Sequence, residues 1–213
     1  LISLSNLSDE RMRNAKSGAW WEDNQQRALS NNSVAYTDTA DMGAFMKEWL
    51  SLYESKSGER GIFNRQASEK QAAKNGRREP YSDFGTNPCS EIILRNKQFC
   101  NLTEVVVREN DTLETLRTKV KLATILGTFQ ATLTNFRYLS RSWHNNTKEE
   151  ALLGVSFTGI LDNKKMANGS IKLDQLKRVA VEENKKWANK LGISPAAAIT
   201  CVKPRGTVSQ LVD

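Results

Sequence analysis

Gly85-Thr86-Asn87-Pro88-Cys89-Ser90-Glu91-Ile92, followed by Phe99-Cys100-Asn101-Leu102, is the stretch on which the reading of this 213-residue chain turns. Tyr81 to Pro88 is rich in turn formers, with Gly85 and an Asn-Pro pair, and reads as a loop. If that loop runs extended, residues 87, 89 and 91 point to one side, because side chains then alternate with period two. One face would carry an amide, a thiol and a carboxylate: a hydrogen-bonding group, a sulfur and a potential base. Cys100, eleven residues beyond Cys89, can return beside it if the intervening chain folds back as a finger. The residues alone leave open a plainer reading, a buried cysteine in a turn that Asn-Pro initiates.

Working outward, short β-like runs alternate with amphipathic helices. Ser33-Val34-Ala35-Tyr36 is a strand candidate. Asp41 offers an N-cap, after which Met42, Phe45, Met46, Trp49 and Tyr53 recur at helical spacing until Ser57-Gly58 and Gly61. Residues 66–79 are polar and basic and read as a short helix and surface loop ending at Pro80. Ile92-Ile93-Leu94 and Val105-Val106-Val107 are apolar runs, the second a strong strand candidate. Asp111-Thr112-Leu113-Glu114 resembles a capping box with the acid in the Ser/Thr role. It opens a stripe of Leu116, Val120, Ala123, Gly127 and Ala131, expected to continue to about residue 141. Leu152–Leu161 reads as a buried strand or a tight strand-to-helix passage, and Leu173, Leu176, Ala180, Trp187 and Leu191 as one face of a helix. Gly192 and Ile193 supply that helix with its stop. Ala197–Val202 reads as a short buried strand before Pro204. This alternation predicts a parallel α/β layout.

The composition narrows the chemistry. Hydrophobic residues make up 38% and charged residues 26% of the chain, which suits a soluble globular protein. No apolar run approaches the length needed to span a bilayer. The start, Leu1-Ile2-Ser3-Leu4, is unlike a secretory signal and reads as a cut inside a longer chain, so a cytoplasmic, membrane-free protein is expected. The net charge of +7 is spread among acids, with Arg77-Arg78 the densest cluster. It fits a solvated surface that helps attract a phosphorylated ligand better than a nucleic-acid interface. Three cysteines, Cys89, Cys100 and Cys201, do not form a secreted disulfide framework. One histidine, His144, in an exposed-looking run, and the lack of a C-x-x-C spacing argue against a Cys/His zinc site and a histidine-based triad, and no metal ligands are assigned. Cysteine chemistry, if present, is then redox or radical chemistry.

The Asn87-Pro88-Cys89-Ser90-Glu91 core, with Cys100-Asn101-Leu102 and Glu104 beyond it, resembles the finger-loop region of ribonucleotide reductases. The eleven-residue interval is that of the adenosylcobalamin-dependent (class II) members. Ala28-Leu29-Ser30-Asn31-Asn32-Ser33, Gly61-Ile62-Phe63-Asn64-Arg65, Asn75-Gly76-Arg77-Arg78, Leu153-Gly154-Val155-Ser156 and Lys203-Pro204-Arg205-Gly206-Thr207 are also similar to the family. The likeness therefore extends along essentially the whole chain.

The resemblance implies an α/β fold, part of a ten-stranded barrel of two antiparallel half-barrels with a central finger loop. Residues 1–213 would be a partial catalytic barrel domain. Residues 1–80 would end the first half, 81–100 form the finger loop and approach to the next strand, and 101–213 begin a truncated second half. Cys89 would carry a thiyl radical started by adenosylcobalamin and take the 3′ hydrogen of the substrate ribose. Glu91 would act as general base on the 3′ hydroxyl, and Asn87 would hydrogen-bond the sugar or Glu91. Cys100 would be one half of the redox pair, its partner lying upstream of this chain, while Cys201 would be structural. Pro204 to Ser209, with Arg205, Gly206, Thr207 and Val208, resembles a turn and helix N-terminus that binds substrate phosphate. Family members often have Ser or Glu where Arg205 stands.

The implied partners are a ribonucleotide, a thioredoxin-type dithiol reductant and a deoxynucleoside triphosphate effector bound through other parts of a parent chain. Oxygen-sensitive glycyl-radical reductases characteristically differ at Cys100 and Glu91. The di-iron diphosphate reductases share Asn-Pro-Cys-x-Glu but usually have a longer interval to the second cysteine. Cys100-Asn101-Leu102-Thr103-Glu104 resembles the monomeric triphosphate enzymes, whereas dimeric relatives tend to read Cys-Asn-Leu-Gly. A di-iron catalytic subunit and a non-catalytic barrel fragment are the alternatives.

Overall fold

The computed structural model describes residues 2–74, 76–80, 83–203 and 211–212. Its contacts divide the chain into two compact units, Leu1–Asn96 and Lys97–Asp213. Among the described residues, no helix is long and apolar enough to cross a membrane.

The first unit is built on a parallel three-stranded sheet in the order β1 (Ile2–Ser5), β2 (Asn31–Tyr36), β3 (Gly61–Asn64). The short helices α1 (Glu10–Arg13) and α2 (Trp20–Asp23) lie between β1 and β2, and α3 (Met42–Ser55) connects β2 to β3. Leu4 pairs with Ser33, which pairs with Gly61. Asp41 caps α3 as its side chain implies, accepting from the Gly43 and Ala44 amides. After β3 comes α4 (Arg65–Ala73), capped by Asn64, whose Oδ1 accepts from the Ala67 amide.

The spacing along α3 identifies a helix, but its apolar stripe is not its buried face. Met42, Met46, Trp49, Leu50 and Tyr53 are all exposed, and the helix's buried residue is Glu48. Burial of a carboxylate is tolerated only when its charge is matched and its lone pairs are used. Here Arg60 meets Glu48 in a fork, Nε to Oε1 at 2.6 Å and Nη2 to Oε2 at 2.9 Å, and Arg13 Nε adds a third bond at 2.9 Å. Arg60 spends its remaining hydrogens on Ser5 Oγ and the Asn6 and Leu7 carbonyls. The cluster therefore joins α3, the exit of β1 and the approach to β3.

A two-pair antiparallel hairpin completes this unit: β4 (Gly85–Thr86) on β5 (Ile93–Leu94), with Gly85 opposite Leu94 and Thr86 opposite Ile93. The segment read as loop through Pro88 therefore contains a short strand, too brief to leave a period in the sequence. Phe84, fully buried, packs with Phe63 and Ala72, and Leu4, Ala35 and Ile93 close around them.

The second unit pairs β6 (Asn101–Val106) in parallel with β7 (Leu153–Thr158). Between them run α5 (Leu113–Gln130) and α6 (Arg141–Glu150). After β7 come α7 (Lys164–Ala167) and α8 (Leu173–Leu191). Val105, Val107, Leu116, Val120, Val155 and Leu176 lead its core. The N-cap of α5 is Thr112, not Asp111: Thr112 and Thr115 exchange side-chain-to-backbone bonds, one residue later than the capping box read from sequence. Asp111 instead accepts from the Arg108 amide, Thr115 Oγ1 and Lys119 Nζ. The helix stops at Gln130 rather than near 141, and Ser140 starts α6. Gly192 ends α8 in the left-handed conformation at φ 67°, and the Ile193 amide reaches back to the Ala188 carbonyl, as the Gly-Ile pair implies. Ala197–Val202 forms no strand; one parallel bridge, Thr200 to Val155, runs beside β7. The two larger sheets are thus parallel and the fold is α/β. Among the described residues the strands form small sheets of two and three.

Two buried amides stitch this unit. Asn163 Nδ2 donates to the Arg108, Glu109 and Asp111 carbonyls, while its Oδ1 caps α7. Asn184 Nδ2 donates to Thr128 Oγ1 on α5, and its Oδ1 accepts from the Ala196 amide.

Burial raises the proton affinity of Glu48, but hydrogen bonds from Arg60 and Arg13 outweigh it and hold the carboxyl below its ordinary 4.5. Asp111 behaves alike: burial raises it, while Lys119, the Arg108 amide and Thr115 bring it below 3.8. Both carboxyls bind protons more tightly when unfolded, so their contribution is full above those ordinary values and falls away as pH drops through the folded ones. Acid titration followed by circular dichroism should show stability falling below about pH 4.5. Glu48→Gln should cost about 3 kcal/mol at neutral pH and flatten that acid limb, because Arg60 and Arg13 keep their charges beside a neutral amide.

Candidate functional site

The loop that joins β4 to β5 is a closed turn rather than an extended run. The Ser90 amide donates to the Asn87 carbonyl at 3.0 Å, with Pro88 and Cys89 as the two central residues. Proline fits the first central position because its φ is preset and its missing N–H is not needed there. Ser90 follows in the left-handed region at φ 62°, which costs an L-residue about 1–2 kcal/mol unless neighbouring bonds hold it. The bond that does so comes from the side chain of Asn87: its Oδ1 accepts from the Ile92 amide at 3.0 Å. Thr86 Oγ1 lies 3.4 Å from the same oxygen.

This geometry corrects the period-two reading of residues 87, 89 and 91. Asn-Pro folds the backbone on itself, so the three side chains do not share one open face. Cys89 is exposed at the turn. Both carboxylate oxygens of Glu91, two residues on, are buried with no hydrogen-bond partner among the described residues. A buried carboxylate without a donor is costly, and a group left so is a candidate for a functional role. Asn87 is committed through its oxygen, which leaves its Nδ2 hydrogens as the donors it can offer.

Cys100 belongs to the second unit. The Gln98 side chain, buried, donates to Glu150 Oε2 at 2.5 Å and to the Asn146 carbonyl, and the Phe99 amide donates to Thr147 Oγ1. Beyond it, the Asn101 amide and side chain both donate to the Leu152 carbonyl. Cys100 is thus held between an anchor on α6 and the first residue of β6. It borders a cavity of about 360 Å³ with Phe99, Leu133, Phe136 and Leu139. Phe99 stacks on Trp143 at 4.6 Å and meets Phe136 edge-on at 5.0 Å. Sequence reading passed over this aromatic wall, although the Phe-Cys dipeptide and the tract from Phe136 to Trp143 carry its residues.

Cys201 is half-buried, its amide donating to the Val155 carbonyl beside β7. His144 is half-buried, with Nδ1 2.8 Å from the Thr134 carbonyl. Arg205, Gly206, Thr207 and Val208 lie outside the described residues. Among the described residues no group of three His, Cys, Asp or Glu could hold a metal ion.

Removing the Asn87 side chain should free the loop without disturbing the core beneath it. In Asn87→Ala, amide exchange at Ser90 and Ile92 should quicken about tenfold, as expected for one lost net hydrogen bond. Exchange in α5 and α8 should be unchanged; hydrogen exchange read by mass spectrometry or NMR checks both.

No family model matches the chain. The adenosylcobalamin-dependent ribonucleoside-triphosphate reductase of Lacticaseibacillus paracasei is 29% identical over 248 residues, which cover 99% of this chain and 31% of the relative. That of Lactobacillus acidophilus is 28% identical over 219 residues, 87% of this chain and 28% of its own length. The chain therefore spans less than a third of the curated relatives it matches. A crystal structure of a B12-dependent (class II) ribonucleotide reductase superposes with a TM-score of 0.70 at 25% identity, covering 99% of this chain and 33% of that one. In sequence and in fold, this chain is similar along nearly its whole length to adenosylcobalamin-dependent ribonucleotide reductases.

Proposed function

We propose that this chain is a central catalytic segment of an adenosylcobalamin-dependent ribonucleotide reductase, acting on ribonucleoside triphosphates in the formation of deoxyribonucleotides. The observation that carries the reading is the β4–β5 turn, which sets an exposed thiol at Cys89 two residues from the buried carboxylate oxygens of Glu91, which have no hydrogen-bond partner among the described residues. The likeness to relatives of that name along the chain supports it.

In this reading the segment forms part of a ten-stranded barrel of two antiparallel halves, with the Cys89 hairpin as its finger loop. Bound adenosylcobalamin would supply an odd electron by homolysis of its cobalt–carbon bond. An exposed thiol fits that supply, since the hydrogen on Cys89 has to be reached from outside the hairpin. Cys89 then takes the 3′ hydrogen of the ribose; S–H and activated ribose C–H bonds are close in strength, so the step can be reversed and the cysteine regenerated. Glu91 accepts the 3′ hydroxyl proton, a task suited to a carboxylate kept from water until the substrate donates to it. The Asn87 Nδ2 hydrogens, on the face not spent on the loop, would hold the sugar or Glu91. The 2′ hydroxyl leaves as water, taking its proton from the cysteine pair to which Cys100 belongs. Cys100 supplies reducing equivalents with a second cysteine outside this chain, and the resulting disulfide is reset by a thioredoxin-type dithiol. Residues 204–209 would bind the substrate phosphates, and a deoxynucleoside triphosphate effector would act through other parts of the parent protein.

Two measurements test this. In the full-length protein Cys89→Ser should abolish turnover with the circular dichroism spectrum preserved; retained nucleotide reduction would sink the radical role. Turnover should require adenosylcobalamin and favour CTP over CDP. Activity without cobalamin but with a separate metal subunit moves the assignment to the di-iron diphosphate reductases.

A further inference from the structure

Arg65 stands where helix electrostatics disfavours a cation. It is the first residue of α4, whose opening turn contains no acid, so its charge sits at the positive end of the helix dipole. Its guanidinium turns instead to the strand entering the Cys89 hairpin. Nε donates to the Phe84 carbonyl at 2.9 Å and lies 3.1 Å from Asp83 Oδ1. Asp83 is 84% exposed, so solvent screens that pair. The firm contact is the carbonyl of Phe84, a residue buried completely. The ring of Phe84 is held as well: it packs on Phe63 and Ala72, and the Arg78 guanidinium carbon lies 4.9 Å from its centroid. β4 begins at the next residue.

We propose that Arg65 is a positioning residue for the Cys89 hairpin, fixing where the chain enters β4 relative to the end of β3 and so the place of Cys89 and Glu91. The inference rests on the reading that Cys89 performs the chemistry. It follows from what else ties the hairpin down. Among the described residues the hairpin has two residue pairs of its own, and Phe84 and Ile93 pack with Phe63 and Ala72, an apolar contact that has no direction along the strand. A hydrogen bond from a planar guanidinium to one backbone carbonyl does have direction. It joins the end of β3, where α4 starts, to a point three residues before Asn87.

Three variants in the full-length protein test the inference: Arg65→Gln, Arg65→Lys and Arg65→Ala. Arg65→Gln should quicken amide exchange in β4 and β5 about tenfold, the scale of one lost charge-assisted bond, with α5 and α8 unchanged. The kcat should fall about tenfold while KM for the nucleotide holds, because binding groups remain and the reacting groups are displaced. Arg65→Lys keeps the charge and most of the stem but lacks the planar donor, so it should reproduce both losses and guards against a fold defect in Arg65→Gln. Millimolar guanidinium should restore part of the hairpin protection and of kcat in Arg65→Ala, which lost packing alone would not allow. Unchanged hairpin exchange in both Arg65→Gln and Arg65→Lys overturns the proposal, as does faster exchange with unchanged kcat. Cys89→Ser in the same preparation separates the two claims: if it is inactive, the cysteine reading stands whatever Arg65 does.

Discussion

The first unit is organised around a charge that has to be buried. Glu48 lies under α3 at 1% exposure with the guanidinium groups of Arg60 and Arg13 upon it. A carboxylate so placed is tolerable only because every lone-pair direction that matters has a donor. That requirement fixes more than the pair itself. Arg60 can serve Glu48 only if the chain before β3 approaches α3, and its other hydrogens are taken by Ser5, Asn6 and Leu7 at the exit of β1. The rotation of α3 follows too. With Glu48 inward, Met42, Met46, Trp49 and Tyr53 must face out, against what their hydropathy alone would dictate.

From that sheet a short line of dependence runs to the cysteine. Phe63 on β3 and Ala72 on α4 make the floor on which Phe84 rests. Phe84 leads into β4, β4 pairs with β5, and the side chain of Asn87 closes the turn between them on the Ile92 amide. Each link is small. None would hold against chain entropy by itself, since a two-pair hairpin is marginal without something to pack on. Their product is a loop in which a left-handed serine is held in place and Cys89 is presented outward.

Much of this was legible from the residues. Asn87, Cys89 and Glu91 stand out by chemical type and closeness, α3 and α8 by their period and their stops, α5 by its period, and β2, β6 and β7 by their apolar runs. Other features left no such trace. A glutamate following a lysine on an amphipathic helix looks solvated, and its burial depends on Arg60 and Arg13, distant in sequence. Two-residue strands are too short for a period, so the β4–β5 hairpin is visible only once Gly85 is seen opposite Leu94. Asn-Pro is compatible with an extended segment or a turn; Asn87 decided for the turn by using its own side chain as the acceptor. The stop of α5 at Gln130 was hidden because Ala131 continues the apolar stripe.

The turn changes how the proposed chemistry is understood. Had residues 87–91 run extended, thiol, amide and carboxylate would have met the same surroundings. The turn gives them different ones within a few ångströms of backbone. A hydrogen carrier has to be reachable, from the radical source on one occasion and the sugar on another, and Cys89 is exposed. A base that must hold a proton through the reaction gains from exclusion of water, and the Glu91 oxygens are buried. Asn87 joins the two by spending its acceptor on the backbone and keeping its donors. Its place in the proposed reaction is therefore first architectural: the bond that shapes the turn is also what puts a reachable sulfur and a sheltered carboxylate two residues apart.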